Sequence, residues 1–168
     1  IRMENQLLEL NKLHTQLTAT TKQITDNAIK LGAEIFKPIS GFPNYQVSNK
    51  GNVKNIITGN ILKPRIGTTG YYKIKLSNNG KCTTKTIHRL VCGQFLINPD
   101  EKPFVDHING DPLCNNLSNL RWCTNQENSF NAKLSIKNKT GFKGISIQKN
   151  KKYRAKLMSN GKTISLGC

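Results

Sequence analysis

The distribution of glycine and proline divides this sequence into a part that can form a long helix and a longer part that cannot. None of the 13 glycines precedes Gly32, and none of the six prolines precedes Pro38. A run without these residues can continue as one helix, whereas frequent Gly and Pro restrict the chain to short elements joined by turns. We therefore predict an N-terminal helix followed by small, β-rich units.

Residues 1–34 have the heptad pattern of an amphipathic helix. Positions spaced alternately three and four residues apart would form one seam, with three polar interruptions. The seam could pair with a second copy of the chain in a coiled coil, or it could pack on the chain's own body. Both alternatives stay open, and the first predicts self-association. The seam positions are Met3, Gln6, Leu10, Leu13, Leu17, Thr20, Ile24, Asn27 and Leu31.

From residue 35 onward, turn signals separate short runs that alternate as β-strands do. Clusters of Gly, Asn and Pro are typical of tight turns, and the runs between them are too short for helices. The predicted strands are 45–48, 53–57, 71–76 and 83–87, followed by a meander of 144–149, 152–158 and 162–166 with turns at 150–151 and 160–161.

The middle of the chain should combine helices with strands. Residues 88–95 predict a helix, and residues 104–131 predict a strand, a polar loop, a second strand and a helix. Leu117, Leu120 and Trp122 should pack the loop and second strand on that last helix. The predicted fold class is α+β, with segments 1–34 (amphipathic helix), 35–80, 81–132 and 133–168 (three-stranded).

The net charge of +17 lies entirely outside the first segment. Residues 1–34 carry four basic and four acidic side chains, whereas residues 133–168 carry ten Lys or Arg and no acid. Such an excess attracts polyanions and favours double-stranded DNA as the partner. A ribosomal, RNA-binding or membrane-surface protein could have the same charge.

Five cysteines, at positions 82, 92, 114, 123 and 168, predict neither disulfides nor a structural zinc site. Their number is odd, and no two form a Cys-x-x-Cys pair. We expect them to be reduced and mostly packed, in the cytoplasm of an infected or host bacterial cell. No apolar run has the length of a membrane span, and no signal peptide opens the chain. The chain begins with Ile and stops inside an apparent strand, which is consistent with a fragment.

An Asp-His pair in the middle segment points to phosphodiester hydrolysis. Val105 and Ile108 flank Asp106 and His107, so a strand end should present a carboxylate beside an imidazole. A carboxylate can hold a divalent metal, and a histidine can take a proton from water. By itself such a pair is more often a surface or capping pair, but the Asn residues that follow at matching distances favour catalysis.

The segment 104–131 resembles the HNH (ββα-metal) nucleases, especially the phage and intron-encoded homing endonucleases. The resemblance rests on Asp106-His-Ile-Asn-Gly-Asp, Asn119-Leu-Arg-Trp and Asn125-Gln-Glu-Asn. Upstream, Phe36 to Val53 is similar to the DNA-binding module that commonly precedes this nuclease. Downstream, Thr140 to Gly167 resembles the three-stranded DNA-binding domain of plant ethylene-response factors, and the chain ends where a helix would follow.

The resemblance implies a role for each matching residue. Asp106 would bind the metal, and His107 would be the general base. Asn119 would brace the loop and hold the backbone of the histidine. Asn128 would be the second metal ligand, with Asn131 as a competing candidate. An amide oxygen suits a hard cation, so we expect one Mg²⁺ or Mn²⁺ ion and no structural zinc.

We expect basic side chains in three regions to contact DNA. Arg121 could pair with the scissile phosphate, or form a surface ion pair with Glu127 or Asp111. His88 should be a structural residue at a helix start, with a phosphate contact as the alternative. The predicted DNA-contacting residues are Lys54, Lys63, Arg65, Lys73, Lys75, Arg121, Lys143, Lys149, Lys152, Arg154 and Lys156.

Together these patterns predict a metal-dependent homing endonuclease that hydrolyses duplex DNA. One such centre should nick one strand as a monomer, and a double-strand break would need two copies. A non-catalytic DNA-binding protein or a virion-associated structural protein that keeps the nuclease scaffold is the alternative.

Overall fold

The computed structural model describes residues 2–134, 137–159 and 162–166. The chain divides into two units, Ile1–Asn128 and Ser129–Cys168. The fold is mixed α+β, as the sequence predicts, with three α-helices and small antiparallel sheets in the described part of the chain. No helix there is long and apolar enough to cross a membrane.

Helix α1 (Arg2–Lys30) confirms the predicted N-terminal helix. It ends because Gly32 takes a left-handed conformation with φ of +85°, and the N–H of Ala33 bonds back to the carbonyl of Ala28 at 3.0 Å. Its apolar seam is exposed, with 63% of Leu10 and 66% of Leu17 accessible to solvent. In the described part of the first unit, the seam is therefore not covered by packing against the rest of the chain.

The first sheet has four strands in the order β1-β2-β3-β4. The predicted strands 45–48 and 53–57 both form here, the first longer and the second shorter than expected. The turn between β2 and β3 needs a glycine, because Gly51 has a φ of +88°. The strands are β1 (Phe36–Ile39), β2 (Phe42–Ser48), β3 (Val53–Asn55) and β4 (Ile61–Leu62).

The second sheet, in the order β5-β6-β7, is built around a tight hairpin. Asn78 pairs with Lys81, so Asn79 and Gly80 form a two-residue loop, and both have positive φ. This is the Asn-Gly loop of a type I′ turn, whose twist matches that of the flanking strands. The strands are β5 (Arg65–Ile66), β6 (Tyr72–Asn78) and β7 (Lys81–Thr86).

The remaining elements of the first unit are helix α2, a two-stranded sheet and the start of helix α3. They confirm the predicted helix at 88–95 and the strand, loop, strand and helix over 104–131. A 3-10 turn at Leu117–Asn119 lies in the loop. The elements are α2 (Ile87–Phe95), β8 (Phe104–His107), β9 (Leu120–Cys123) and α3 (Asn125–Asn131).

One hydrophobic core joins the first two sheets, helix α2 and the β8–β9 pair. Val47 and Val53 of the first sheet, Leu76 of the second and Val91 of α2 belong to it and are fully or almost fully buried. Burial also raises the pKa of the Cys92 thiol, on α2, to about 12, so this cysteine packs as an uncharged side chain.

The predicted packing of the second strand on α3 is wrong. Leu120 of β9 lies in the core with α2, and the half-buried Leu117 and Trp122 pack against the same core. No residue of α3 is buried. The apolar face of the loop and strand is therefore covered by the earlier helix, α2.

The second unit is a three-stranded antiparallel sheet, β10-β11-β12, which confirms the predicted meander. The first turn has Lys151 in a left-handed conformation with φ of 63°. The second predicted turn, at Asn160-Gly161, lies outside the described residues. The strands are β10 (Ile145–Ile147), β11 (Tyr153–Ser159) and β12 (Lys162–Ser165).

Candidate nuclease centre

Asp106 and His107 lie side by side at the end of β8, and both are buried. Strand β8 pairs with β9 so that Asp106 stands opposite Arg121, and His107 stands opposite Leu120. The register therefore places a guanidinium directly across the sheet from the carboxylate. Burying an acid and an imidazole next to each other costs free energy unless each has a hydrogen-bond or ion-pair partner. Asp106 and His107 therefore each need such a partner.

Arg121 is the partner of Asp106. Its Nε and Nη2 atoms both donate to Oδ2 of the carboxylate, at 2.9 and 2.7 Å. The side chain of Asp106 is only 6% exposed, whereas that of Arg121 is 46% exposed. The alternative of a surface ion pair between Arg121 and Glu127 or Asp111 is wrong, and Arg121 instead fixes the orientation of Asp106.

Asn119 braces the loop that follows His107. Its Oδ1 accepts a hydrogen bond from the backbone N–H of Asn109 at 3.0 Å, and its Nδ2 donates to the carbonyl of Cys114 at 2.8 Å. Its own carbonyl accepts from the N–H of Ile108, also at 2.8 Å. The side chain and backbone of Asn119 thus hold the loop at Cys114 and at the two residues that follow His107.

Two aromatic side chains that the sequence analysis did not assign to the site pack around His107. The ring of Tyr71 stacks on it, with centroids 5.8 Å apart and planes inclined by 22°. The ring of His88 meets it edge-on at 5.1 Å. Tyr71 is far from His107 along the chain, and no local sequence signal links them, so only the fold brings the three rings together.

His88 is buried and uncharged at neutral pH. Burial, the neighbouring His107 and Arg89 together lower the pKa of His88 to about 4. Its Nδ1 atom has no hydrogen-bond partner in the described residues. The structure is consistent with the structural role predicted for this residue at the start of α2.

Asn128 lies in the middle of α3, and the start of that helix is fixed by a capping box. Thr124 Oγ1 accepts from the N–H of Glu127, and the Glu127 carboxylate accepts from the N–H of Thr124. Lys102 adds an ion pair to Glu127 at 3.0 Å. The Thr124 backbone and Lys102 hold the pKa of the Glu127 carboxyl below its usual range. Asn131, the competing ligand, lies in the last turn, within the second unit.

The donor types of the predicted metal ligands fit a hard divalent cation. Asp106 offers a carboxylate and Asn128 an amide oxygen, whereas zinc prefers nitrogen and sulfur. Within the described part of the chain, no three His, Cys, Asp or Glu side chains gather into a set that could hold a metal. A cation bound by few protein oxygens completes its shell with water and phosphate oxygens, which is the usual mode of Mg²⁺.

A basic cleft in the first unit gathers four of the predicted DNA-contacting residues. This open cleft of about 520 Å³ is lined by Lys63, Arg65, Lys73 and Lys75, together with Leu62, Ile74 and Thr84. Arg65 and Lys73 face each other across β5 and β6. Like charges directly opposite in a sheet destabilise it unless an anion lies between them. Lys54, also in this unit, is on β3.

The predicted contact residues of the second unit belong to β11 and its surroundings. Arg154 and Lys156 lie on one face of β11, opposite Ser146 and Ser165 in the register, and Tyr153 and Ala155 lie on the other. Lys149 and Lys152 flank the turn before this strand. Lys143 instead donates to the carbonyls of Ser129 and Phe130.

A buried Asp-His pair that ends the first strand of a two-stranded sheet, with a short helix following, defines the ββα-metal class of nuclease domains. Residues 85–130 match the HNH endonuclease family, and residues 34–77 match the NUMOD4 motif. The chain therefore carries an HNH endonuclease domain preceded by a NUMOD4 motif. HNH nucleases generally depend on a divalent metal.

Relatives of this chain occur in viruses of bacteria and amoebae. The chain is 46% identical over 101 residues to an uncharacterized HNH endonuclease of Acanthamoeba polyphaga mimivirus, covering 57% of this chain and 25% of that protein. It is 41% identical over 97 residues to the DNA endonuclease I-HmuI of Bacillus phage SP01, covering 57% of this chain and 56% of that protein. It therefore spans a quarter to just over half of the length of these relatives.

The structure of the homing endonuclease I-HmuI, which describes DNA binding and cleavage by that enzyme, is also similar. The match has a TM-score of 0.55 at 41% sequence identity and covers 58% of this chain and 56% of the I-HmuI chain. The similarity confirms the predicted resemblance to phage homing endonucleases of the HNH type.

Proposed function

We propose that this chain is a metal-dependent endonuclease that hydrolyses phosphodiester bonds in duplex DNA, with homing as its biological role. The observation that carries the proposal is the buried pair of Asp106 and His107 at the end of β8, inside the HNH domain. The basic cleft in the same unit supplies a surface for the polyanionic substrate.

In the proposed reaction, His107 takes a proton from a water molecule as the water oxygen forms its bond to phosphorus. The bond from phosphorus to the leaving oxygen breaks, and that oxygen takes a proton from solvent. Arg121 holds the carboxylate of Asp106, and its half-exposed guanidinium also offers positive charge near the phosphate. Asn119 keeps the loop closed, so that the imidazole stays at the strand end.

Asp106 and Asn128 would hold one Mg²⁺ or Mn²⁺ ion. When bound, such an ion stabilises negative charge on the phosphate and leaving oxygens. One carboxylate and one amide oxygen give only modest affinity for the ion. Full occupancy should therefore need a metal concentration on the order of millimolar, as for other weakly held hard cations.

The direct test is nicking of supercoiled plasmid by the full chain. With Mg²⁺ or Mn²⁺, conversion to the open circle should precede any linear product, because one centre cuts one strand. Chelation with EDTA should stop the reaction, and fresh metal should restore it. DNA binding without cleavage under all metal conditions would identify a non-catalytic DNA-binding protein and overturn the proposal.

We predict that cations of the basic cleft contribute most of the salt dependence of DNA binding by the first unit. Replacing Lys73 and Lys75 with Ala should weaken binding to all sequences similarly. Each lost phosphate contact should reduce the slope of log K against log salt by about 1. Fluorescence anisotropy at several salt concentrations measures the slope. Lys22→Ala, an exposed lysine on α1, is the matched control and should leave the slope unchanged.

The second unit should add a second DNA contact. Arg154 and Lys156 share one face of β11, and the resemblance to a three-stranded DNA-binding domain suggests that this face lies in a groove. A chain that ends after Asn131 should therefore bind DNA more weakly than the full chain but still cleave it.

We also propose that α1 joins two copies of the chain. Its seam is apolar and exposed, and a pair of centres would allow a double-strand break. Light scattering on the full chain should give the mass of a dimer. Leu10→Glu with Leu17→Glu should give a monomer, whereas Leu8→Glu, an exposed apolar residue off the seam, should not. A wild-type monomer at all concentrations would contradict the proposal.

A further inference from the structure

We infer that Asn115 is a positioning residue for His107, and that the turn between β2 and β3 in the upstream NUMOD4 motif holds Asn115 in place. The inference rests on the proposed function for its catalytic consequence. Its structural part, which ring nitrogen of His107 carries the proton, does not depend on cleavage.

Asn115 is buried, and its amide has one defined orientation. The Nδ2 group donates to the carbonyl of Leu113 at 3.0 Å, which turns the amide oxygen toward His107. This Oδ1 atom lies 3.4 Å from Nε2 of the imidazole. Only 7% of the residue is accessible to solvent, so water does not compete freely for the contact.

The contact selects one tautomer of the neutral imidazole. An amide oxygen can only accept a hydrogen bond, so the proton of the ring must be on Nε2. The lone pair is then on Nδ1, and that is the atom that can take a proton from water. Without Asn115 both tautomers would be populated, and part of the enzyme would present the wrong nitrogen.

The turn of the upstream motif packs directly against Asn115. A Cβ atom added to Gly51 would lie 2.9 Å from Cβ of Asn115 and 3.3 Å from its carbonyl oxygen. Two residues earlier, the carbonyl of Asn49 accepts a hydrogen bond from the N–H of Leu117 at 2.8 Å. The turn therefore touches the catalytic loop on both sides of Asn116.

This turn is itself rigid. The side chain of Asn49 accepts from the N–H of Ile35 at 2.8 Å and donates to the carbonyl of Ala33 at 3.1 Å. The hydroxyl of Ser48 accepts from the N–H groups of Lys50 and Asn52. A turn with this many hydrogen bonds can act as a fixed support for the loop.

The two sets of contacts on His107 do different things. Tyr71 and His88 limit where the ring can lie, because they pack against its face and its edge. Neither ring contact distinguishes the two ring nitrogens, whereas Asn115 does. Tyr71 also belongs to the upstream motif, so this motif supports the base through both ring packing and the hydrogen-bonded loop.

The first experiment measures the tautomer of His107 in the metal-free protein by long-range ¹H–¹⁵N NMR. The wild type should show Nε2–H, and so should Asn115→Asp, which loses the donor to Leu113 but keeps an oxygen that can only accept from the ring. Asn115→Ala should show a mixture of tautomers. Asn116→Ala, whose exposed side chain does not reach the imidazole, is the matched control and should behave as the wild type. A wild-type tautomer in Asn115→Ala would overturn the inference.

The second experiment measures single-turnover nicking at saturating DNA and metal. Asn115→Ala should slow the reaction about 10- to 100-fold, as losses of supporting hydrogen bonds to functional histidines do, with DNA affinity unchanged. Asn115→Asp should stay close to the wild-type rate. Equal rates for Asn115→Ala and the wild type, or equal losses for the Ala and Asp variants, would contradict the role.

A third variant reaches the same contact without altering Asn115. Gly51→Ala and Gly41→Ala both force a side chain into a left-handed backbone, but only the first collides with Asn115, since nothing lies within 4 Å of a Cβ at Gly41. Gly51→Ala should therefore show a mixture of His107 tautomers and a slower rate of nicking. Gly41→Ala should keep the wild-type tautomer and rate. Equal behaviour of the two would overturn the role of the turn. If no variant or wild type cleaves DNA, the proposed function fails, while the tautomer measurements still decide this inference.

Discussion

Replacing His107 with alanine is expected to slow nicking of plasmid DNA strongly while leaving DNA binding unchanged. A general base contributes about 10²- to 10⁴-fold to the rate of such a reaction, so the rate of nicking should fall by at least about 100-fold relative to the wild type. The imidazole is buried and does not line the basic cleft, so affinity for duplex DNA should not change. Single-turnover cleavage and anisotropy on the same preparation measure the two quantities.

His14→Ala is the matched control for this substitution. His14 is exposed on α1, away from the HNH domain in the sequence, and its loss should alter neither quantity. Because His107 packs between Tyr71 and His88, the variant should also be checked by thermal unfolding. A folded His107→Ala protein that cleaves at the wild-type rate would show that another group is the base.

Replacing Asp106 with asparagine is expected to have an effect of similar size through the metal. The substitution removes the charge that attracts the cation but keeps the size of the side chain. Charge stabilisation by a bound metal is worth several kcal/mol, which corresponds to a rate loss of about 10²- to 10³-fold. Raising the metal concentration should recover part of the rate, since the main defect is affinity.

Loss of the ion pair between Asp106 and Arg121 should not destabilise the variant, so a slower reaction can be assigned to the metal. Arg121 is 46% exposed, so its guanidinium stays solvated when the carboxylate is replaced. The free energy of unfolding should therefore change little. Asp111→Asn is the matched control, because Asp111 lies in the loop that follows Asp106 and His107 and its side chain accepts from the N–H of Leu113. A fully active Asp106→Asn protein at low metal concentration would contradict the role of this carboxylate.

Local patterns predict most of the elements of this fold. The heptad run gives α1, the alternation of apolar residues gives β2, β6 and β11, and Asn-Gly gives the β6–β7 hairpin. Strand β1 is missed because its four residues include Pro38, and β4 and β5 are missed because two residues cannot show a period. The boundaries of the other strands shift by a few residues, since pairing rather than propensity decides where a strand ends.

The sequence also places Asp106 and His107 at a strand end, but it does not predict what surrounds them. The pairing of Asp106 with Arg121 depends on the register of β8 and β9, which the intervening loop sets. The contacts of Tyr71, His88 and Asn115 with His107 depend on the shared core, and no periodicity records them. The metal ligands Asp106 and Asn128 rest on the resemblance and stay predictions.

Under the proposed function, the shared hydrophobic core restricts how the protein could change its target sequence. Val47 and Val53 of the upstream motif pack with Ile87 and Leu90 of the HNH domain, so neither segment could be exchanged as an independent cassette. Under the proposed function, recognition would diverge at outward positions such as Lys54, Lys73 and Lys75, while the inward face is preserved. A chimera designed for a new target should therefore graft individual surface residues rather than whole segments.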